Sequence, residues 1–555
     1  MRLELFVALA CVARAFAIWP RPRQLTKGST ALRLSPSFEI DLSGVKNPSK
    51  DLLAATTRSA NHLRRDKLQA LLVDRGASSA GRIKTAKLLV RLSLRIASSG
   101  MVKSISDEAV APLHLRNEGY KLTVPEDGTS ATLEANTTLG LFRGLTTFEQ
   151  LWYELNGDVY TLEAPFDIVD SPAYLPHWRY QTDPRCNELG QGALIVLLKY
   201  QRINISRQLN TFHWHIVDSQ SFPLQIPGFM ELSEKAAYNS TAIYTPSDVT
   251  DIVTYAAERG IDVIAEIDTP GHTSAISKSH PEHITCPEAT PWSTYANEPP
   301  AGQLRLASSA TTNFTFELLS AAASLFRSTY FGTGGDEVNE NCYDADEETQ
   351  RELAAQGKTL LEAFNTFTRV THQALRRVGK TPMVWEEMLL DYEMTLANDT
   401  LIMVWISANN VASVVKKGYQ VIHASNEYFY LDCGAGGWLG QNPLGNSWCN
   451  PFKTWQKAYT FDPLAGLKPS EYHLVLGGQH LLWTEQASPS NLDSITWPRA
   501  ATSAEVFWSG PRGDVGTALP RLHDIAYRFK QRGVNAIALQ PEWCVLRPGA
   551  CDVDE

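Results

Sequence analysis

The sequence predicts an α/β protein: a parallel (β/α)8 TIM-like barrel preceded by a small α+β domain. Three observations support this fold class. Apolar, strand-like runs alternate with amphipathic helical segments from about residue 209 to residue 485, which is the pattern of repeated βα units. Polar and aromatic residues follow the ends of these runs, where such barrels carry their active sites. The length of 555 residues accommodates one large barrel and a smaller domain.

A doubly wound open sheet would show a similar alternation of strands and helices. It is disfavoured because no glycine-rich nucleotide fingerprint follows the first predicted strand. The formal net charge of −10 argues against a nucleic-acid partner. The 14 tryptophans are many for this length, and indole rings make good platforms for the faces of sugars.

The first 17 residues predict a secretory signal peptide. Leu3 to Ala17 is mostly apolar, and Ala15-Phe16-Ala17 has the small residues of a cleavage site. An ordinary buried helix is the alternative. No later apolar run is long enough to span a bilayer, so we expect a secreted or luminal protein with no membrane partner. Five Asn-x-Ser/Thr sequons predict glycosylation at Asn136, Asn204, Asn239, Asn313 and Asn398.

Eight cysteines are present, and Cys11 leaves with the signal peptide. In an oxidising compartment the others can pair by proximity. Cys186 is left over. No spacing typical of metal ligands is found, and the sequence implies neither a metal nor a cofactor. The expected disulfides join Cys286 with Cys342, Cys433 with Cys449, and Cys544 with Cys551.

Residues 18–100 carry the fewest structural signals. From Arg58 to Arg95 there are ten basic residues and only two acidic ones, which fits a solvated helical face or a propeptide equally well. Residues 101–170 predict the small α+β domain. Tyr120–Val124 and Ala131–Ala135 alternate like paired strands, and Leu139–Trp152 has the pattern of an amphipathic helix.

The barrel is predicted over residues 171–555, with a C-terminal extension, and the proline-containing stretch 171–176 is the linker into it. Its predicted helices include Thr245–Arg259, Thr359–Val378 and Asn410–Lys417. Its predicted strands are Leu209–Val217, Ile261–Ile267, Ser328–Phe331, Thr381–Trp385, Leu401–Trp405, Gln420–His423 and His480–Trp483.

The stretch from Gly332 to Cys342 is the centre of this pattern. An apolar run leads into it, two glycines allow the backbone to turn, and the adjacent carboxylates Asp336 and Glu337 follow. Where a strand ends and curls, both carboxylates can face one pocket. The alternative is that Asp336 caps a helix and Glu337 stabilises its first turn.

The ends of the predicted strands together supply a characteristic set of side chains. Carboxylates and aromatic rings without a lysine-rich patch predict a site for a neutral, hydroxyl-rich ligand, because carboxylates accept hydrogen bonds from hydroxyls. Enzymes that cleave a glycosidic bond generally use at least two carboxyl groups. The set contains Asp218, Asp268, His272, Asp336, Glu337, Trp385, Trp405, Tyr430, Asp432, Trp483 and Glu485.

Several motifs give the chain a family resemblance. These motifs are the run from Phe212 to Pro223, Asp268-Thr-Pro-Gly-His272, Gly334-Gly-Asp-Glu337, Tyr430-Leu-Asp432 and Leu482-Trp-Thr-Glu485. Together they resemble the motifs of the glycoside hydrolase family 20 β-N-acetylhexosaminidases, most of all those of the secreted fungal members. The resemblance covers more than three quarters of the chain, from about residue 120 to the C-terminus. It implies exo-acting, retaining hydrolysis of terminal β-linked GlcNAc or GalNAc from chitin oligomers and glycans.

The same resemblance implies roles for individual residues. Glu337 is expected to be the general acid and base, while Asp336 orients the substrate's acetamido group and offsets developing positive charge. Tyr430 is expected to donate a hydrogen bond to the acetamido oxygen. Asp268 and His272 resemble a dyad that positions Glu337, and Asp218 is assigned either to the substrate site or to structure alone. Trp385, Trp405 and Trp483 are expected to wall the acetamido pocket, and Asp432 and Glu485 to hold the outer hydroxyls.

The first barrel strand departs from the family pattern. The family carries a sugar-gripping Arg there, but the stretch 177–187 contains Pro184 and the unpaired Cys186, so Arg185 is the best candidate and Arg179 the second. The altered stretch is either an error in the gene model or a genuine divergence. If divergence removes the grip, a non-catalytic sugar-binding protein is the alternative to an enzyme. An endo-acting chitinase would need an open groove, which three tryptophans around one acetamido group disfavour. The resemblance also suggests a homodimer.

Overall fold

A computed structural model of the chain describes residues 17–174, 181–182, 209–511 and 513–553. Two sheets dominate the fold, and they belong to an N-terminal domain and to the barrel. The N-terminal strands are β1 Gln24–Gly44, β2 Lys87–Ile96, β3 Tyr120–Val124, β4 Ala131–Ala135, β5 Tyr153–Leu155 and β6 Asp158–Asp170.

The N-terminal sheet has six strands in the order β1-β2-β4-β3-β6-β5. Apolar side chains of its inner face, such as Leu92 and Leu133, are fully buried against a helix that is itself buried along its whole length, with Phe148 at the contact. The helices of this domain are Lys50–Arg65, Ala80–Lys84, Ile105–Ala109 and Thr138–Gln150, with 3-10 turns at Ala77–Ser79 and Leu113–Leu115.

This sheet corrects the division of the chain at residue 100. Strand β1 pairs with both β2 and β6, so residues 18–100 and 101–170 form one domain and not two segments. The basic residues of the first segment include Arg64, Arg65 and Lys67, which are exposed. The pattern is therefore that of a solvated surface, and a propeptide ending near residue 100 would take two of the six strands with it.

The second sheet is an all-parallel barrel, as the sequence predicts. Its order is β16-β15-β14-β13-β12-β9-β8-β7-β17. The last strand is interrupted at Gln479 and His480: its first half pairs with β15 and its second half with β7, which closes the ring. The barrel strands are β7 Gln181–Thr182, β8 Thr211–Val217, β9 Asp262–Ile267, β12 Tyr330–Gly334, β13 Thr381–Trp385, β14 Leu401–Val404, β15 Val421–His423, β16 Val475–Gly478 and β17 Leu481–Leu482, and a hairpin of β10 Ile284–Thr285 and β11 Gln303–Leu304 lies outside the ring.

The predicted barrel helices are present within one or two residues of their expected ends. Two of them begin at a capping box, in which Thr245 or Thr359 exchanges hydrogen bonds with the acidic residue three positions later. The helices of this part are Met230–Ala236, Pro246–Ala257, Trp292–Tyr295, Ser309–Ala323, Glu340–Ala345, Glu347–Gln356, Leu360–Arg377, Glu387–Leu390, Asn410–Lys416, Asn426–Phe429, Trp455–Tyr459, Leu492–Thr496, Arg499–Ser509, Val515–Gln531 and Glu542–Val545, with 3-10 turns at Ser274–Lys278, Pro281–His283 and Pro469–Leu474.

Buried polar contacts join the C-terminal helices to the N-terminal domain. The indole N–H of Trp508 donates to Asp170 at 2.9 Å, and Arg532 pairs with Asp66 at 2.6 Å and with Glu149 at 2.8 Å. Near the other end of the described chain, the indole N–H of Trp19 donates to the carbonyl of Ala501 at 2.8 Å. The two domains are therefore tied together by hydrogen bonds and ion pairs.

The three predicted disulfides are present. They join Cys286 with Cys342, Cys433 with Cys449, and Cys544 with Cys551, while Cys186 lies outside the described residues. Four sequon asparagines are exposed, as glycosylation requires, and Asn204 lies outside the described part. No helix among the described residues is long and apolar enough to cross a membrane.

Candidate active site

A cavity of about 470 Å³ opens at the carboxyl ends of the barrel strands. Its walls combine acidic and aromatic side chains, which is the composition predicted for a sugar site. The lining residues are Asp218, His272, Glu298, Asp336, Glu337, Trp385, Trp405, Tyr430, Trp448, Trp483 and Glu485.

The adjacent carboxylates follow strand β12 on a tightly turned backbone. Gly334 has φ +63°, and a Cβ there would lie 1.7 Å from Oδ1 of Asp268, so only glycine fits. The next amide, Gly335 N–H, donates to the same Oδ1 of Asp268 at 2.9 Å. Glu337 has φ +53°, a left-handed conformation that is strained for a residue with a side chain. This turn is what brings Asp336 and Glu337 to one cavity.

His272 joins the two carboxylates to a third acid. Its Nδ1 lies 2.9 Å from Asp218 Oδ1, and its Nε2 lies 3.5 Å from Glu337 and 3.7 Å from Asp336. The prediction that His272 pairs with Asp268 is therefore wrong. Asp268 is fully buried below the cavity and accepts the Gly335 amide, whereas Asp218 holds the imidazole.

Burial and neighbouring charges shift the pKa of each of these groups. Burial, followed by the adjacent Asp268 carboxyl, raises the pKa of Asp336 well above its usual value. Burial also raises the pKa of Glu337, although His272 opposes the shift. The pKa of His272 is raised well above its ordinary value because Asp218 and Asp268 outweigh the effect of burial. Burial therefore favours the protonated form of both carboxyl groups, and the neighbouring carboxylates favour the imidazolium form of His272.

A buried network supports this set from beneath. His215 Nδ1 lies 2.6 Å from Glu266 Oε1, and His215 Nε2 lies 3.4 Å from Asp218 Oδ2. His213 lies 3.2 Å from the other oxygen of Glu266. Desolvation acts against the charge of Glu266, but the two histidines outweigh it and lower the pKa of this carboxyl to about 2. Asp218 is thus fixed on one side by His215 and on the other by His272.

The aromatic walls are fixed by acids that follow neighbouring barrel strands. The indole N–H of Trp405 donates to the Glu387 carboxyl, whose oxygens lie at 3.0 and 2.9 Å, and the backbone N–H of Trp483 donates to Asp432 at 3.3 Å. Trp405 and Tyr430 are stacked, with ring centroids 6.4 Å apart. Burial raises the pKa of Tyr430 well above its usual value, so its hydroxyl stays protonated and able to donate.

Most of the predicted site residues meet at this cavity, with three exceptions. Asp268 lies below it, Asp432 acts through the Trp483 backbone and does not line it, and Arg185, like Arg179, lies outside the described residues. Asp218, His272 and Glu298 offer ligand atoms within 4.8 Å of one another, but the hydrogen bond between His272 and Asp218 accounts for that group without a metal ion.

The sequence reasoning missed two lining residues, Glu298 and Trp448. Glu298 lies on the loop between the two short strands β10 and β11, where it accepts a hydrogen bond from the Gln220 amide at 3.1 Å. Trp448 lies on the loop closed by the Cys433–Cys449 disulfide and meets Trp405 edge-on at 5.6 Å. The disulfide was the available signal for Trp448, since it anchors that loop beside Tyr430.

Comparison with known proteins places this chain in one family. The family described as "Glycosyl hydrolase family 20, catalytic domain" matches residues 205–511, and one described as "beta-acetyl hexosaminidase like" matches residues 18–151. The chain belongs to glycoside hydrolase family 20, as a hydrolase of the β-N-acetylhexosaminidase class.

Individual relatives agree with this assignment. A protein of Arthroderma benhamiae named beta-hexosaminidase is 34% identical over 471 residues, covering 79% of this chain and 74% of the relative. A chitooligosaccharidolytic beta-N-acetylglucosaminidase of Bombyx mori is 33% identical, covering 78% and 75%. The crystal structure of Flavobacterium johnsoniae chitobiase superimposes with a TM-score of 0.73 at 25% identity, covering 94% of this chain and 73% of that one.

Proposed function

We propose that this protein is an exo-acting, retaining β-N-acetylhexosaminidase that removes terminal β-linked GlcNAc or GalNAc from chitin oligomers and glycans. The observation that carries the proposal is a carboxylate oxygen that can accept a hydrogen bond from an N–H group. Oδ1 of Asp336 is buried and has no hydrogen-bond partner among the described residues, although Asp336 lines the cavity. The N–H of a substrate acetamido group can supply the missing donor.

The first step uses the substrate's own acetamido group as nucleophile. Its carbonyl oxygen forms a bond to the anomeric carbon while the bond to the leaving oxygen breaks, and Glu337 gives its proton to that oxygen. The raised pKa of Glu337 keeps this proton available. Asp336 orients the acetamido N–H and stabilises the oxazolinium that forms, and Tyr430 donates its hydroxyl hydrogen to the acetamido oxygen.

The second step reverses the first with water. The Glu337 carboxylate takes a proton from a water molecule, whose oxygen bonds to the anomeric carbon as the bond to the acetamido oxygen breaks. Two inversions at one carbon leave the configuration retained. His272, held by Asp218, lies 3.5 Å from Glu337 and stabilises its carboxylate between the two steps.

The shape of the cavity supports cleavage at a chain end. Trp385 is almost completely buried at the inner wall, whereas Trp448 is 63% exposed at the rim. We infer that one terminal sugar occupies the space between these two rings and that Trp448 covers it on the leaving-group side. Secretion completes the proposal, because three disulfides and four exposed sequon asparagines suit an oxidising, glycosylating route.

The test is turnover of an aryl β-N-acetylglucosaminide by the purified protein beside two variants. Asp336→Asn removes the charge that offsets the oxazolinium, and we expect kcat to fall about 10²–10³-fold. Glu337→Gln removes the acid, with an expected loss of about 10²–10⁴-fold. Glu340→Gln, an exposed acid three residues away, is the matched control and should retain full activity.

Two further measurements test retention of configuration, exo action and the requirement for the acetamido group. Proton NMR of a chitin oligomer digest should show the β anomer of N-acetylglucosamine first, as retention requires, and internal fragments would contradict exo action. An aryl β-glucoside without the acetamido group should not turn over. If the folded, unmodified protein fails to cleave the acetamido substrate, the sugar-binding alternative replaces this proposal.

A further inference from the structure

We propose that Glu231, His280, Glu282 and His283 form a site for a divalent transition-metal ion, with Zn²⁺ and Cu²⁺ as the ions of best fit. None of these residues lines the sugar cavity. His280, Glu282 and His283 each offer a ligand atom, and the three atoms lie within 4.8 Å of one another. Two imidazoles and a carboxylate are a ligand set that suits these ions rather than Ca²⁺ or Mg²⁺.

The ligand atoms already converge on Glu282. Its Oε1 lies 3.4 Å from Nδ1 of His280 and 3.9 Å from Nε2 of His283. Bonds of 2.0–2.2 Å at a tetrahedral metal place neighbouring ligand atoms roughly 3.3–3.5 Å apart. The Glu282 side chain is 61% exposed and free to close the remaining few tenths of an ångström, and solvent supplies a fourth ligand.

The second nitrogen of each imidazole has its own partner, as metal-bound histidines usually do. Nε2 of His280 lies 3.0 Å from the Glu231 carboxylate, and Nδ1 of His283 lies 3.1 Å from the hydroxyl of Thr311. The Glu231 carboxylate only accepts, so Nε2 of His280 donates to it and Nδ1, on the Glu282 side, can bind the ion. The Thr311 hydroxyl can accept from Nδ1 of His283, which leaves Nε2 of that ring for the ion.

Aromatic packing holds the two imidazoles in place. Phe314 lies under both rings, with centroid distances of 4.9 Å to His280 and 4.3 Å to His283. The two imidazoles are stacked at 6.0 Å. Such preorganisation reduces the side-chain entropy lost on binding. A bound ion would tie the 3-10 turn Pro281–His283 to the helix Met230–Ala236 through Glu231.

The sequence alone did not indicate this site. His280-Pro-Glu-His283 is a short cluster with no familiar metal spacing, and the outer partners Glu231 and Thr311 come from distant parts of the chain. Only the fold brings the helix at residue 230 and the helix at residue 309 against the turn at residue 281.

The test measures bound metal on the full-length, untagged protein. After treatment with a chelator, the protein is dialysed against ZnCl2 or CuCl2, and the ions per chain are counted by elemental analysis, with affinities from calorimetry. Glu282→Gln and His280→Ala should each lose one bound ion per chain, and Glu231→Gln should weaken the same site about 10–100-fold. The melting temperature should rise with metal for the unmodified chain and less for Glu282→Gln.

Glu234→Gln is the matched control, because Glu234 is an exposed acid on the same helix as Glu231. It should bind metal like the unmodified protein, and hydrolytic activity should stay constant through the metal-site series. The proposal is overturned if no ion is retained, or if Glu282→Gln and His280→Ala retain as many ions as the control. Because Glu282 is exposed, its substitution should leave the fold intact. The test therefore remains valid even if the His280 variant folds poorly.

Discussion

Replacement of His272 by Gln tests whether its positive charge sets the working pH of the enzyme. Nε2 of this residue lies 3.5 Å from Glu337 and 3.7 Å from Asp336. Burial raises the pKa of both carboxyls, and the imidazolium opposes that shift. One opposite charge at such a distance lowers a carboxyl pKa by about 1–3 units, which corresponds to about 1.4–4 kcal/mol. Its removal should raise both pKa values by that amount.

The assay is the pH dependence of kcat/KM for an aryl β-N-acetylglucosaminide. The ascending limb reports ionisation of Asp336, and the descending limb reports loss of the Glu337 proton. Both limbs should move to higher pH by about 1–3 units in His272→Gln. Asp218→Asn should move them in the same direction by less, because the Asp218 carboxylate is the strongest charge that keeps His272 protonated.

A uniform loss of kcat/KM at every pH, with both limbs unmoved, would refute this reasoning and leave His272 a positioning role only. His473→Gln is the control, since His473 is exposed and does not line the cavity. Its profile should superimpose on that of the unmodified enzyme. Circular dichroism and melting temperature establish that each variant is folded before the profiles are compared.

Three further changes give distinct outcomes. Glu337→Gln should be more stable than the unmodified protein near neutral pH, because ionisation of this partly buried carboxyl weakens the fold. The margin should grow as pH rises from the unfolded pKa of about 4.3 through the raised folded pKa. Melting curves across pH measure this, and a constant margin would contradict it. Trp448→Ala should lower kcat/KM for a chitin oligomer about tenfold, since covering about 60 Å² of ring contributes about 1.5 kcal/mol at 25 cal/mol per Å². Inhibition by free N-acetylglucosamine should not change. An equal loss of affinity for the oligomer and for the free sugar would show that Trp448 does not cover the leaving-group side. Gly334→Ala should abolish activity, because its Cβ would lie 1.7 Å from Asp268. The left-handed φ alone should lower stability by about 1–3 kcal/mol, and the clash should add to this loss. Denaturant unfolding measures the loss, and an active variant of normal stability would refute the steric argument.

Local chemistry in the sequence determined much of this protein. Apolar runs that end in acids or aromatic residues predicted strands such as Thr381–Trp385, whose bounds the structure reproduces. The paired carboxylates after two glycines predicted the centre of the site because glycine allows a turn that few other residues tolerate. The disulfides followed from proximity in an oxidising compartment, since each pair brackets a loop or ties neighbouring ones.

Tertiary structure decided the contacts between residues far apart in the chain. The sequence placed Asp268 four residues before His272 and suggested that they pair, yet the imidazole bonds to Asp218, 54 positions away. The direction of each side chain at a strand end depends on how that strand curls, which periodicity does not encode. Likewise, strand β1 shows its partners only once the sheet is formed, and Glu298 and Trp448 reach the cavity only because the fold brings their loops to the carboxyl end of the barrel.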